Sequence, residues 1–164
     1  MATWHNDLMQ SITIRKATES DLTSIVELWV EMMTFNQCAI PFPLVDDARV
    51  QHAEFVRQRL NSNQCLILIA ELNGCVVGYC RAGVAQYPPV YEQQAYGSVA
   101  ELIVSQACRR QGIGEKLYLS TKEWFLGQDI KRIEVGTATK NAVSNAFWTK
   151  MGFETFRETK QLDL

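Results

Sequence analysis

Apolar and polar residues alternate along this chain in two rhythms, one close to every third or fourth residue and one close to every second. "ITIRKA" at 12–17 has the second rhythm and predicts a first strand. "TESD" at 18–21 resembles a capping box. Behind it Leu22, Ile25, Leu28, Trp29, Met32 and Met33 recur at helical spacing, which predicts an amphipathic helix over 20–36. "IPFP" at 40–43 breaks that pattern, and Ala53, Val56 and Leu60 predict a second helix over 46–61. The run "CLILIAELNGCVVGYCRAGV" places two apolar segments around Asn73-Gly74, a dipeptide that favours a two-residue turn with positive φ, so it predicts a hairpin. The proline-containing "AQYPPVYEQQAYGS" follows as a loop, and "VAELIV" at 99–104 as a strand. Ile113, Leu117, Ser120, Trp124 and Phe125 mark one face of a helix that ends at Gly127. "RIEVGT" at 132–137 predicts a strand and residues 140–150 a helix, with Val143, Ala146 and Phe147 on it and Met151 just beyond. Gly152 stops this helix, and weak alternation from Phe153 to Leu162 predicts a last strand.

The predicted order is β-α-α-β-β-β-α-β-α-β. An antiparallel meander that turns into β-α-β implies an α/β (α+β) fold with a mixed central sheet and helices on both faces. The unit from 99 to 137 implies two parallel strands with a right-handed crossover. With 164 residues and no repeat or linker, the chain reads as one domain over 11–164, preceded by a loose extension over 1–10. A chain of this length buries about 70% of its unfolded surface, enough for a real core.

Composition narrows the functional classes. Hydrophobic residues make up 47% and charged residues 21%, and 16 basic against 18 acidic side chains leave a net charge of −2. That balance supplies no general attraction to nucleic acid or to an anionic membrane. The opening "MATWHNDLMQS" lacks a basic segment followed by an apolar run, and no stretch of 18 apolar residues occurs, so a cytoplasmic location is expected. Five cysteines (Cys38, Cys65, Cys75, Cys80 and Cys108) without a CxxC pair suggest neither a disulfide framework nor a zinc site, and they read as small buried hydrophobes. His5 and His52 have no ligand spacing and read as structural or solvent-facing, so no metal is expected.

The candidate chemistry sits in "ACRRQGIGEKL" at 107–117, between a strand and a helix. The first turn of a helix offers backbone N–H groups and a partial positive charge, and glycines allow an anion to approach closely. Arg109 and Arg110 would add positive charge and bidentate donors. The string required for a P-loop is absent, and Leu117 occupies the place of the third glycine of a dinucleotide fingerprint. The pattern [QR]xxGx[GA], met by Arg109, Gly112 and Gly114, remains.

"ELIVSQACRRQGIGEKL" resembles the acetyl-CoA-binding motif of the GNAT superfamily of N-acetyltransferases, and "NAVSNAFWTKMGFE" at 141–154 is similar to that family's later helix, N-x-x-A-x-x-x-Y-x-K-x-G-F. The order of elements over roughly residues 12–160 also matches. The resemblance implies acetyl transfer from acetyl-CoA to a primary amine of a small molecule or a protein, by direct attack in a ternary complex. It implies that acetyl-CoA lies in a wedge between strands 99–104 and 132–137, as a cosubstrate. Backbone groups of Ile103 and Val104 would meet the pantetheine arm as an added strand would. Amides from Gln111 through Gly112, Ile113 and Gly114 to Glu115 would hold the pyrophosphate, and Asn141 would contact the cofactor arm. Ser144 stands where the family has alanine.

Glu101 is the implied general base. An amine with a pKa of about 10.4 is protonated at neutral pH and must lose a proton before it attacks. Alternation puts Glu101 on the face of Val99 and Ile103, where burial would raise its pKa. The other reading is a structural glutamate, facing solvent or paired with a basic neighbour. The family often bulges this strand, which would aim a backbone N–H at the thioester oxygen. The family's tyrosine, a proton donor to the leaving thiolate, is replaced by Trp148, whose indole does not titrate as a phenol does. A thiol with a pKa of about 8.5 is a tolerable leaving group without an acid. The alternative is a non-catalytic acyl-CoA-binding module. Tyr87, Tyr91, Tyr96, Phe42, Glu92, Asp46 and Asp47 lie in segments expected at the acceptor end, and aromatics with carboxylates suit a cationic amine. A homodimer is compatible with the family but fixed by nothing in the sequence.

Overall fold

The computed structural model describes residues 11–35 and 42–162. Strand β1 (Ile12–Lys16) leads through a short 3₁₀ turn to helix α1 (Leu22–Phe35) and then helix α2 (Ala48–Leu60). Strands β2 (Cys65–Leu72), β3 (Cys75–Gln86) and β4 (Ala95–Val104) form the meander. Helix α3 (Ile113–Leu126), strand β5 (Ile133–Val135) and helix α4 (Ala142–Lys150) complete the order. The sheet runs β1-β2-β3-β4-β5, antiparallel except for the parallel β4–β5 pair, so the mixed α+β architecture expected from the sequence is the one observed.

β2 reads as an almost continuous apolar run because both of its faces are covered. Leu66, Leu68 and Ala70 point toward α3 and α4 and pack with Val99, Ile113, Leu117, Phe125 and Trp148. Ile67 and Ile69 point the other way and meet Leu22, Ile25, Leu28 and Val56 of α1 and α2. Asn73 and Gly74 both take positive φ, 52° and 79°, and join β2 to β3 by the two-residue turn their chemistry favours. Ahead of α1, the Asp21 carboxylate accepts from the Thr18 backbone N–H at 2.8 Å, one half of the expected capping box.

Several expectations need correction. β3 and β4 are longer than the apolar runs suggested: both extend into the proline-containing segment, where polar and aromatic residues still pair across the hairpin, down to Gln86 and Ala95. β5 is three residues long rather than six. Residues 153–162 form no strand. Phe153 packs against the core, but Phe156 and Leu162 stay 59% and 83% exposed, so beyond Phe153 the alternation buries nothing. Cys75 is exposed at the hairpin tip, whereas Cys80 is fully buried and its thiol is pushed up to about 12 by that burial. The extension over 1–10, with His5, and Cys38 lie outside the described residues.

Candidate active site

Two irregularities of β4 define the site. The first is a register shift: Arg81 faces Glu101 but Ala82 faces Val99, so Ala100 is an extra residue without a partner. Such a bulge switches the faces on either side of it. Val99 therefore packs toward α3, while Glu101 turns with Ile103 toward α1 and α2. The simple alternation expected for Val99 and Glu101 is broken here. The second irregularity is the end of the β4–β5 ladder, which pairs only Gly97, Ser98 and Val99 with Ile133, Glu134 and Val135. β4 continues for five more residues to Val104 without a β5 partner. One backbone edge is thus left beside Glu101, Ile103 and Val104.

Beyond β4 the chain makes the turn singled out by its glycines. Ser105 Oγ and the Gln106 N–H both donate to Glu31 of α1, at 3.2 and 2.5 Å, tying the turn to the opposite helix. Arg110 and Gly112 adopt positive φ, 66° and 77°. Gly112 is the N-cap of α3 with no side chain capping it, and a Cβ there would meet nothing within 4 Å. Glycine is thus used for its left-handed conformation and an open approach to the first-turn amides of Ile113, Gly114 and Glu115. The Ile113 side chain is buried in the core, and Gly114 packs close to Leu102 and Phe147. Gln111 and Arg110 are exposed. Arg109 bends back: its Nε donates to the Val104 carbonyl at 3.0 Å and its guanidinium lies 4.5 Å from the centre of the Phe35 ring. Glu115 pairs with Lys150 of α4 at 2.8 Å. The Asn141 side chain caps α4 by accepting from the Ser144 N–H at 3.0 Å.

Glu101 is 14% exposed at its side chain, and it is not unpaired. Arg81 donates to it through Nε and Nη2, both at 3.1 Å, and the Tyr79 hydroxyl donates at 2.9 Å. Burial raises the Tyr79 pKa, so this phenol keeps its proton and remains a donor. The pairing with a basic neighbour, left open by the sequence, is the arrangement observed: an ion pair with Arg81 and two further hydrogen bonds. Arg81 could have been found: an arginine inside "VVGYCRAGV" requires a counterion, and β3 is the natural neighbour of β4. Trp148 is 6% exposed and stands edge-on to Tyr118, Phe147 and Phe153, which makes it a core residue of the α3–α4 face.

At the other end of β4, Tyr87 and Tyr96 stack at 4.4 Å, with Tyr91 edge-on to Tyr87, and the Tyr87 hydroxyl bonds Glu134. Phe42, Asp46 and Asp47 are exposed, and residues 36–41 between α1 and Phe42 lie outside the described residues. Among the described residues no cluster of His, Cys, Asp and Glu could hold a metal ion, and no helix is long and apolar enough to cross a membrane.

Comparison with known proteins gives a consistent result. A sequence model described as the acetyltransferase (GNAT) family matches residues 22–153. An uncharacterized N-acetyltransferase of Bacillus subtilis is 26% identical over 144 residues, covering 87% of this chain and 90% of the relative. A predicted acetyltransferase from Clostridium acetobutylicum, solved with acetyl-CoA, superposes with a TM-score of 0.78 at 18% identity over 93% of this chain and 96% of that one. An aminoglycoside N-acetyltransferase solved in complex with CoA superposes with a TM-score of 0.73 at 17% identity over 94% and 95% of the two chains. At these identities the superpositions show a shared fold.

Proposed function

The chain belongs to the acetyltransferase (GNAT) family, and from that premise we propose that it transfers the acetyl group of acetyl-CoA to a primary amine of a small molecule or of a protein or peptide, by direct attack in a ternary complex. The observation that carries this reading is the succession of three features along β4 and the turn after it: a bulge at Ala100, an edge without a β5 partner from Glu101 to Val104, and, at the start of α3, an N-cap glycine without a side-chain cap at Gly112. The residues present fit the cosubstrate. The amides from Gln111 to Glu115 suit its pyrophosphate, with Arg109 and Arg110 supplying positive charge. The free edge at Ile103 and Val104 suits an amide-rich arm running as an extra strand, and Asn141 at the start of α4 would flank that arm. When bound, acetyl-CoA supplies an activated acyl carbon and a sulfur leaving group.

The protein's own contribution is placement and proton handling. Tyr79 and Arg81 hold the Glu101 carboxylate in one orientation next to the bulge, where its charge would attract and orient an acceptor ammonium. The acceptor would enter past the tyrosine-rich end of β4. Trp148 has the family's tyrosine position but is buried, and a thiolate departs adequately without it.

Release of free thiol from acetyl-CoA, measured against polyamines, aminoglycosides, amino acids and peptide amines, tests this reading. Amine-dependent release is expected. Tight cofactor binding without release on any amine would replace the enzyme by an acyl-CoA-binding module.

A further inference from the structure

The segment that follows β4 has little of its own to hold it. Between the buried Ile103 and the buried Ile113 no residue is fully covered, and Gln106, Ala107, Arg110, Gln111 and Gly112 are exposed. Cys108 rests against the cluster on the α3 side, but core packing does not otherwise fix the path of this turn. The path has to be fixed all the same, because amides that bind an anion must converge on one point. Hydrogen bonds are what remains to hold it.

Part of that holding is local. Residues Gln106–Cys108 form a 3₁₀ turn, closed by the Cys108 N–H donating to the Ser105 carbonyl at 2.9 Å. Such a turn leaves its first N–H groups without partners, and a serine placed in front would ordinarily cap them. Ser105 makes no side-chain capping bond. The cap comes from α1 instead. Glu31 Oε1 accepts from the Gln106 N–H at 2.5 Å, and Oε2 accepts from the Ser105 hydroxyl at 3.2 Å. One helical turn further on, the Phe35 ring lies 4.5 Å from the Arg109 guanidinium, whose Nε donates to the Val104 carbonyl. Glu31 and Phe35 are four residues apart, on one face of α1, and that face meets both ends of the turn. α1 packs on one side of the sheet and α3 on the other. These contacts therefore reach across the end of the sheet to the loop that starts α3.

The charge of Glu31 sharpens the argument. A carboxylate bonded to this turn opposes a diphosphate. If charge decided, its removal would strengthen acetyl-CoA binding. Its hydrogen bonds act in the opposite sense, since they keep the turn in one conformation before the cofactor arrives. A ligand that needs a partly populated conformation binds more weakly in proportion to that population. We propose that Glu31 is a positioning residue for cofactor binding: it caps the 105–108 turn from α1 and thereby holds the amides from Gln111 to Glu115 in the arrangement a pyrophosphate requires. The proposal rests on the reading of that turn as the acetyl-CoA pyrophosphate site. Glu31 acts through the turn and on no reacting atom.

The test compares Glu31→Ala with Glu31→Gln. Both lose the charge. Gln keeps an oxygen for the Gln106 N–H and offers its NH₂ group to the Ser105 hydroxyl, which can accept as well as donate. Acetyl-CoA affinity is measured by calorimetry, folding by urea unfolding, and the Gln106 amide by hydrogen exchange. Glu31→Ala should bind acetyl-CoA on the order of tenfold more weakly than wild type, with faster exchange at Gln106 and a nearly unchanged unfolding midpoint. Glu31→Gln should stay within about threefold of wild type. In amine-dependent thiol release, Glu31→Ala should raise the KM for acetyl-CoA and keep kcat within about twofold, because saturating cofactor restores the turn. Glu31→Ala binding as tightly as wild type or more tightly, or both variants weakened alike, would overturn the proposal and leave the pyrophosphate reading standing. Absence of acetyl-CoA binding by folded wild type would remove that reading and this proposal with it.

Discussion

The two faces of this sheet are built from different materials. Toward α3 and α4 the interior is hydrocarbon and aromatic: Ile113, Leu117, Phe125 and Trp148 are almost fully buried, and the polar Thr121 returns its hydroxyl to its own helix. Toward α1 and α2 the aliphatic core of Ile25, Val56 and Ile69 is interrupted by charge. Asp21 is clamped by Arg15, Glu101 by Arg81 and Tyr79, and His52 has an open nitrogen. The difference teaches a division of labour. Apolar burial is non-directional and holds the strands together, so it can be concentrated on the face where no reacting atom has to be aimed. Buried charge fixes positions: Arg81 and Tyr79 hold Glu101 next to the bulge at Ala100, while Arg15 holds Asp21 at the β1 edge of the sheet.

Truncation on the apolar face challenges that division most strongly. Trp148→Ala should cost about 3–5 kcal/mol in denaturant unfolding, through lost transfer energy and a cavity among Tyr118, Phe147 and Phe153. A loss below about 1 kcal/mol would mean that this face is not the stabilising one.

The Asp21 clamp comes next. Arg15, donating at 2.8 and 2.9 Å, holds the Asp21 carboxyl at about 2, below its ordinary 3.8. A depressed carboxylate stabilises the fold above the unfolded value and loses that contribution as pH falls through the folded one. About 2 kcal/mol should therefore disappear between about pH 4 and pH 2. The stability gap between wild type and Asp21→Asn, followed by urea unfolding, should close over that window. A gap independent of pH would assign the clamp no electrostatic role.

Trp148→Tyr should give the smallest effect, a stability change under about 1.5 kcal/mol with activity unchanged or raised. A large fall in turnover would show that the indole reaches the reaction after all, and would blur the distinction between the two faces.

How much of this was legible follows from what each feature depends on. The hairpin at Asn73-Gly74, the helix of Leu22, Ile25 and Leu28 and the glycine turn before α3 depend on local chemistry, and the sequence states them. The bulge does not. Nothing in "VAELIV" marks Ala100 as an extra residue, because a bulge is a property of the pairing with β3. Glu101 was therefore legible as a candidate, but neither its face relative to Val99 nor its partners Tyr79 and Arg81 could be read from β4 alone. His52 was readable as a member of the buried face through its spacing to Val56. Its missing partner is a fact of three dimensions. The alternation after Phe153 misled because the pattern records compatibility with a strand, whereas a strand also needs a neighbour and something to bury.

The central claim is that the turn from Arg109 to Gly114 holds the pyrophosphate of acetyl-CoA. Calorimetric titration of acetyl-CoA into the wild-type chain and into Gly112→Val tests it most directly, since a branched side chain opposes the φ of 77° at this N-cap. The account predicts saturable binding to wild type, weakened by about tenfold or more in folded Gly112→Val, a difference of at least about 1.4 kcal/mol. Absence of heat from folded wild-type protein at millimolar acetyl-CoA, or equal affinity in the two proteins, would contradict it.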